Sequence, residues 1–246
     1  MKIFDGKDTL HYLIDQVKNR KRIVYSRYGD GEYLLMTKKR LAATEVFEVG
    51  DLLNKAVCKK GQFICTVMFR KTYEELLEIS SRWANTQKYI MKIGNHELYG
   101  TGSFLRKDFL NKCELLPYFF KKDVLIVTGH AKKCEEIFKR EHVDISVFEM
   151  PISRASSEYK EAKKHLVKKC QTYNNIIFCC GPIGKVLISD LIDECESNLI
   201  DLGSIINVIL SGSSASLKNM WTISWAKNIN SAERCRKFFD KLRSLK

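Results

Sequence analysis

What this sequence lacks narrows its function early. No stretch of its 246 residues approaches the roughly 20 consecutive apolar positions that a membrane-spanning helix needs. The opening segment, Met1 to Asp8, is polar where a secretory signal would be apolar, so a cytoplasmic setting is expected. The nine cysteines include no Cys-x-x-Cys pair, and Cys179 and Cys180 sit side by side in an apolar run. Free thiols packed as small hydrophobes in a reducing compartment explain that pattern better than disulfides or a zinc site. The five histidines, at 11, 96, 130, 142 and 165, show no metal-ligand spacing. The dinucleotide fingerprint Gly-x-Gly-x-x-Gly after a strand, the Walker loop and the Gly-x-Ser-x-Gly elbow are all missing. There is no internal repeat, no low-complexity segment and no arginine-rich tract, so nucleic acid is not an expected partner.

What is present describes a globular protein with an anionic partner. Hydrophobic residues make up 45% and charged residues 29%, an ordinary soluble balance. The length suffices for a full core, read here as one α/β domain over 1–246. A formal charge of +13 favours anionic lipid, nucleic acid or a phosphorylated small substrate without choosing among them. A C-terminal helix, about 231–244, would bury Ala232, Cys235, Phe238, Phe239 and Leu242. Its other face carries Arg234, Arg236, Lys237, Lys241 and Arg243. That face reads as solvated, with peripheral docking on the inner membrane surface as the sharper alternative.

Taken in order, residues 8–19 have helical spacing with Asp8 or Thr9 as N-cap, and a strand follows over 22–28. Short helices are expected from Glu32 to Met36 and from Asp51 to Lys59, then a strand from Gln62 to Phe69 ending on Arg70. Residues 72–92 read as one helix whose apolar positions include Leu76, Leu77, Ile79, Trp83, Ile90 and Met91. Gly94 to Gly102, with three glycines in nine residues, reads as a mobile loop of the kind that closes over ligands. From 121 onward the alternation is regular. Strands over 123–128, 144–150, 175–180 and 199–202 are separated by helices over 131–141, 157–170 and 183–195. Continuous apolar strands between such helices predict a Rossmann-like α/β fold, its mostly parallel sheet covered on both faces.

In such a sheet ligands bind beyond the carboxyl ends of the strands. The residues there are Ser26 and Arg27 with Asp30 and Glu32, then Arg70, His130, Ser153 and Arg154, Gly181 and Pro182, and Gly203 and Ser204. Glycine, hydroxyls, cations and carboxylates make a rim compatible with phosphate and sugar. Gly181-Pro182 before a helix is either a good strand-to-helix turn or a cradle of free N–H groups for an anion. Asp30-Gly31-Glu32 is either a helix cap with a first-turn acid or a pair of hard oxygen ligands for Mg²⁺ or Mn²⁺. On the second reading Gly29 lets a diphosphate approach the backbone, and Arg27 grips phosphate by two hydrogen bonds.

The stretch Ser26-Arg-Tyr-Gly-Asp-Gly-Glu32 resembles the Arg-aromatic-Gly-Asp-Gly-Glu opening of the GT-D-fold glycosyltransferases, a family first catalogued as a domain of unknown function. Tyr99 to Arg106, Asp123 to Gly129, Cys180 to Leu191 and Ile200 to Ser204 are similar to further segments of that family, in the same order over roughly 10–210. The resemblance implies a GT-D-type fold and an Asp-x-Glu pair, here Asp30 and Glu32, that is catalytic and binds the metal, Mn²⁺ or Mg²⁺. It implies a nucleotide-sugar donor, with UDP the expected nucleotide, held near Arg27, Gly29, Gly181, Pro182 and Ser204. The acceptor would be a glycan, glycolipid or glycoprotein in polysaccharide or glycoconjugate biosynthesis. Ser204 stands where the family often has histidine, and Thr128-Gly129 where it often has Glu-Gly, which implies a divergent branch. Two other classes stay open: a different nucleotide- or phosphate-transfer enzyme, and a non-catalytic basic binder of polyanions or membrane surfaces.

Overall fold

The computed structural model describes residues 2–38, 48–66, 73–102, 108, 113–151, 155–212 and 231–245. Its centre is an eight-stranded sheet in which the pairs are parallel. In chain order the strands are β1 (Lys2–Ile3), β2 (Val24–Arg27), β3 (Phe63–Thr66), β4 (Leu98–Thr101), β5 (Val124–Thr128), β6 (Ser146–Glu149), β7 (Asn175–Cys179) and β8 (Asn198–Asp201). In space they run β1-β4-β3-β2-β8-β7-β5-β6. The helices are α1 (Gly6–Lys18), α2 (Asp30–Met36), α3 (Glu48–Cys58), α4 (Tyr73–Ile79), α5 (Ser81–Gly94), α6 (Ala131–Arg140), α7 (Tyr159–Lys169), α8 (Pro182–Leu191), α9 (Ile205–Gly212) and α10 (Ser231–Ser244).

The inner strands carry apolar residues towards both faces because helices cover both. With a period of two, Val24, Ile64, Leu125, Ile176 and Leu199 enter one core layer, beneath α2, α3, α7 and α8. Tyr25, Cys65, Ile126, Ile177 and Ile200 enter the other, beneath α1, α6, α9 and α10. The C-terminal helix belongs to that second layer through Cys235, Phe238, Phe239 and Leu242, all buried. Phe238 meets Phe120 edge-on with ring centroids 5.2 Å apart, and Phe120 stacks on Phe138 at 5.4 Å. Ala232, expected in the core, is exposed.

Several local expectations need correction. The N-cap of α1 is Asp5, whose Oδ1 accepts from the N–H groups of Lys7 and Asp8 at 2.8 Å each, so the helix starts before Asp8. The single helix over 72–92 is two helices, α4 and α5, broken at Ser80. Ser80 is extended (φ −166°, ψ 113°) and its hydroxyl caps α5 by accepting from the Trp83 N–H. The break changes the buried face: Leu76 and Ile90 are in the core, whereas Leu77 and Ile79 are 41% and 46% exposed.

The segment 94–102 is not a free loop. Asn95, in the left-handed conformation, ends α5, and 98–101 form β4 between β1 and β3. Gly100 is there for space. A Cβ at that position would lie 2.5 Å from the Phe63 ring and 2.7 Å from Cys65 Sγ. The strand ends Arg70, Ser153 and Arg154 lie outside the described residues.

The feature that positions a site is the junction of β2 and β8. Tyr25 pairs with Ile200, yet the chain leaves β2 for α2 and α3 on one face and leaves β8 for α9 on the other. Adjacent strands whose continuations diverge open a crevice between their carboxyl ends.

Candidate active site

Arg27 ends β2 and Asp201 ends β8, so the sheet itself brings them together. The Arg27 N–H donates to Asp201 Oδ2 at 3.2 Å. α8 crosses above, and from its first turn Lys185 inserts its Nζ between two carboxylates, 3.0 Å from Asp201 Oδ2 and 2.9 Å from Glu32 Oε1. The side chains of Lys185 and Asp201 are 3% and 2% exposed. Buried charges of this kind persist only when paired and hydrogen-bonded. Here two cations, Arg27 and Lys185, balance two carboxylates, Glu32 and Asp201.

The electrostatics follow from that packing. Burial opposes the charge on Lys185, but Asp201 and Glu32 overcome it and raise its pKa above the ordinary value. Arg27 behaves alike: burial pulls its pKa down, and Asp201, Tyr25 and Glu32 more than offset this. For Glu32 burial acts upward, yet Lys185 and the Gly29 N–H hold the carboxyl below its ordinary 4.5.

A group with a depressed folded pKa contributes stability that is complete above the unfolded value and disappears as pH falls through the lower folded value. Urea unfolding of the wild type and of Glu32→Gln should therefore differ by a constant amount near neutrality. The gap should narrow as pH falls through the ordinary carboxylate range and close below the lowered folded value; a gap that persists there would show that Glu32 acts through packing and not through its charge.

Glu32 and Asp30 part company on α2. Gly29 is the N-cap, Asp30 the first helical residue and Glu32 the third. Positions two apart on a helix do not face each other. Glu32 turns inward, with Oε2 accepting from the Gly29 N–H at 2.8 Å and Oε1 facing Lys185. Asp30 turns outward, 43% exposed, with Oδ2 3.3 Å from Arg82 Nη1. The turn is thus a cap and a potential ligand site at once, with the roles divided between the two acids. No group of three or more His, Cys, Asp or Glu that could enclose a metal occurs among the described residues. A divalent ion would therefore take Asp30 as its accessible protein ligand and complete its shell from diphosphate and water, a mode natural to Mg²⁺.

Two glycines shape the space around Arg27. Gly203 has φ +57°, and a Cβ there would lie 2.1 Å from Arg27 Nη2, so any other residue would displace the guanidinium. A Cβ on Gly102 would lie 3.0 Å from Arg27 Cγ on another side. Gly181, at φ +68°, makes the turn into α8 with Pro182 as first helical residue. Its carbonyl accepts from the Gly184 N–H at 3.1 Å and from Lys185 Nζ at 3.4 Å.

Of the residues singled out in the sequence, Arg27 ends β2, Gly29, Gly181 and Ser204 lie in the turns that follow β2, β7 and β8, and Asp30, Glu32 and Pro182 lie in the first turns of the helices those turns open. Gly29 commits its N–H to Glu32. His130 caps α6 after β5, three strand positions from β2, or roughly 14 Å at normal strand spacing. It takes no part in the cluster. Sequence reasoning gave no role to Lys185, Asp201 or Arg82. Two signals were there: a lone lysine in the apolar helix Pro-Ile-Gly-Lys-Val-Leu-Ile, and an aspartate closing the strand Asn-Leu-Ile-Asp.

No protein-family profile and no curated protein matches the chain. Solved structures do. One, described as showing that the highly conserved domain of unknown function 1792 has a distinct glycosyltransferase fold, aligns with a TM-score of 0.62 at 21% identity, covering 83% of this chain and 79% of that one. Another, a new glycosyltransferase (DUF1792) from Streptococcus sanguinis, aligns with a TM-score of 0.64 at 20% identity, covering 83% of this chain and 82% of that one. This chain has the DUF1792 glycosyltransferase fold.

Proposed function

We propose that this chain is a glycosyltransferase that moves a sugar from a nucleotide-sugar, in the first instance a UDP-sugar, to a glycan, glycolipid or glycoprotein acceptor. The observation that carries the reading is the crevice at β2 and β8. There a half-exposed carboxylate, Asp30, lies three residues from a partly exposed guanidinium, Arg27, in a fold shared with glycosyltransferases.

The donor's diphosphate lies along the loop after β2, with Arg27 aimed at its oxygens. Asp201 keeps the backbone of Arg27 in place, and Gly203 leaves room for its guanidinium. The start of α8 adds positive potential at the same rim. Lys185 is too deeply buried to touch a donor; it holds Glu32 and Asp201 and so fixes the turn that carries Asp30. Mn²⁺ or Mg²⁺ held by Asp30 would neutralise the diphosphate as it leaves.

A melting screen of nucleotide-sugars and free nucleotides, with Mn²⁺ and with chelator, tests this. A donor at 100 times its Kd should stabilise the protein by about 2.7 kcal/mol, only with metal present, and the same compound should support sugar transfer or donor hydrolysis. Stabilisation by nucleoside triphosphates and by no nucleotide-sugar would instead favour phosphate- or nucleotide-transfer chemistry.

A further inference from the structure

The opposite rim of the sheet, at the amino ends of the strands, carries a second concentration of charge. The turn between α1 and β2 presents Arg20 and Lys21, and the turn into β5 presents Lys121 and Lys122; all four are exposed. Their side chains make no ion pair or hydrogen bond among the described residues. Lysines elsewhere do find carboxylates, as in Lys38–Asp51, Lys163–Asp190 and Lys164–Glu161.

The four cations border a hollow of about 710 Å³ in which Glu196 is the one acid among the described lining residues. Arg22 also lines it. Its Nε and Nη1 donate to the carbonyls of Ser197 and Ile192 at 3.0 and 2.8 Å, while its buried Nη2 has no hydrogen-bond partner among the described residues. Tyr118 and Tyr173, each partly exposed, complete the wall.

We propose that this rim docks the protein on an anionic lipid surface, one phosphorylated headgroup seated in the hollow and the exposed cations set against its neighbours. Separate turns deliver the cations without a common register, which suits mobile headgroups better than a ligand of fixed geometry. Tyrosines with an apolar ring and a polar tip belong at a headgroup boundary. A nucleic acid strand would need successive stacking platforms, and the wall supplies two partly exposed rings. α10 is the weaker docking element, since Lys237 is paired with Glu233, and Arg243 with Asp240 and Glu141. Docked by its amino rim, the molecule turns the crevice at β2 and β8 away from the bilayer. This inference stands independently of the sugar-transfer reading.

Flotation of the full chain with phosphatidylcholine vesicles, with and without phosphatidylserine, tests it. Binding should require the anionic lipid and weaken with salt. At about fivefold per cation, Lys121→Glu combined with Lys122→Glu should weaken binding by about 25-fold or more, with an unchanged melting temperature. Arg236→Glu with Lys241→Glu on α10 should cost less than about threefold, through long-range charge alone. The proposal is overturned if the rim variant floats like wild type. It is equally overturned if the α10 variant loses binding to the same extent, or if single-stranded RNA binds the rim and vesicles do not displace it.

Discussion

Asp30→Asn is expected to reduce sugar transfer by about 100-fold or more while leaving the protein folded. A cation at the leaving diphosphate contributes several kcal/mol to the transition state, and each 1.4 kcal/mol or so is a factor of ten in rate. Asp30 is the carboxylate free to supply that contact, being half-exposed and outside the buried cluster. Its structural contribution is small. The ion pair with Arg82 is a surface pair worth at most about 1 kcal/mol, and an acid in the first helical turn adds about 0.3–1 kcal/mol. Activity and stability should therefore separate: turnover collapses, and the urea midpoint hardly moves. Transfer at the wild-type rate by the folded variant would remove Asp30 from the reaction.

Lys185→Met should show the reverse emphasis. Methionine fills much of the volume of the lysine stem, so packing is largely conserved, but Glu32 and Asp201 lose the cation between them. Breaking a buried ion pair in this way costs about 3–5 kcal/mol, a large share of the stability of an ordinary domain. Equilibrium urea unfolding reads the loss directly. Adding Glu32→Gln to Lys185→Met should recover part of it, because the second change removes a charge that the first left uncompensated. Strictly additive losses, or a single-variant loss below about 1 kcal/mol, would mean that water already screens the cluster. Where the single variant is folded, at low temperature, its donor affinity should fall too, since Glu32 fixes the turn that presents Asp30.

The two acids of one short motif thus differ in kind, and spacing along the sequence does not separate them. Asp-Gly-Glu is legible as a cap or as a ligand pair, and the choice depends on what lies across the crevice. Lys185 can bridge Glu32 and Asp201 only because β8 is inserted beside β2, a neighbour relation that no local pattern encodes. The strands and helices between 123 and 202 were readable because apolar runs buried on both faces leave few alternatives. The segment 94–102 was not, because its glycines look like loop residues until the Phe63 ring is seen to occupy the missing Cβ position of Gly100. Ser80 likewise reads as a tolerated helix residue until its hydroxyl is found capping α5. The fold class and the gathering of these residues at the strand ends were therefore visible in advance; the different surroundings of the two acids were not.

The pairing of β2 with β8 also governs when the site can come into existence. The hydrogen bond from Arg27 to Asp201 spans 174 residues, and the central strand pair is equally remote in sequence. Closing a loop of that size carries an entropic cost that grows with the logarithm of its length, and contacts so distant belong to slowly folding topologies. On a ribosome, the first two hundred residues must emerge before either the middle of the sheet or its crevice can assemble. Arg27, Asp30 and Glu32 appear early in synthesis and wait for Lys185 and Asp201, so the nascent chain carries this turn for most of translation without the partners that give it shape.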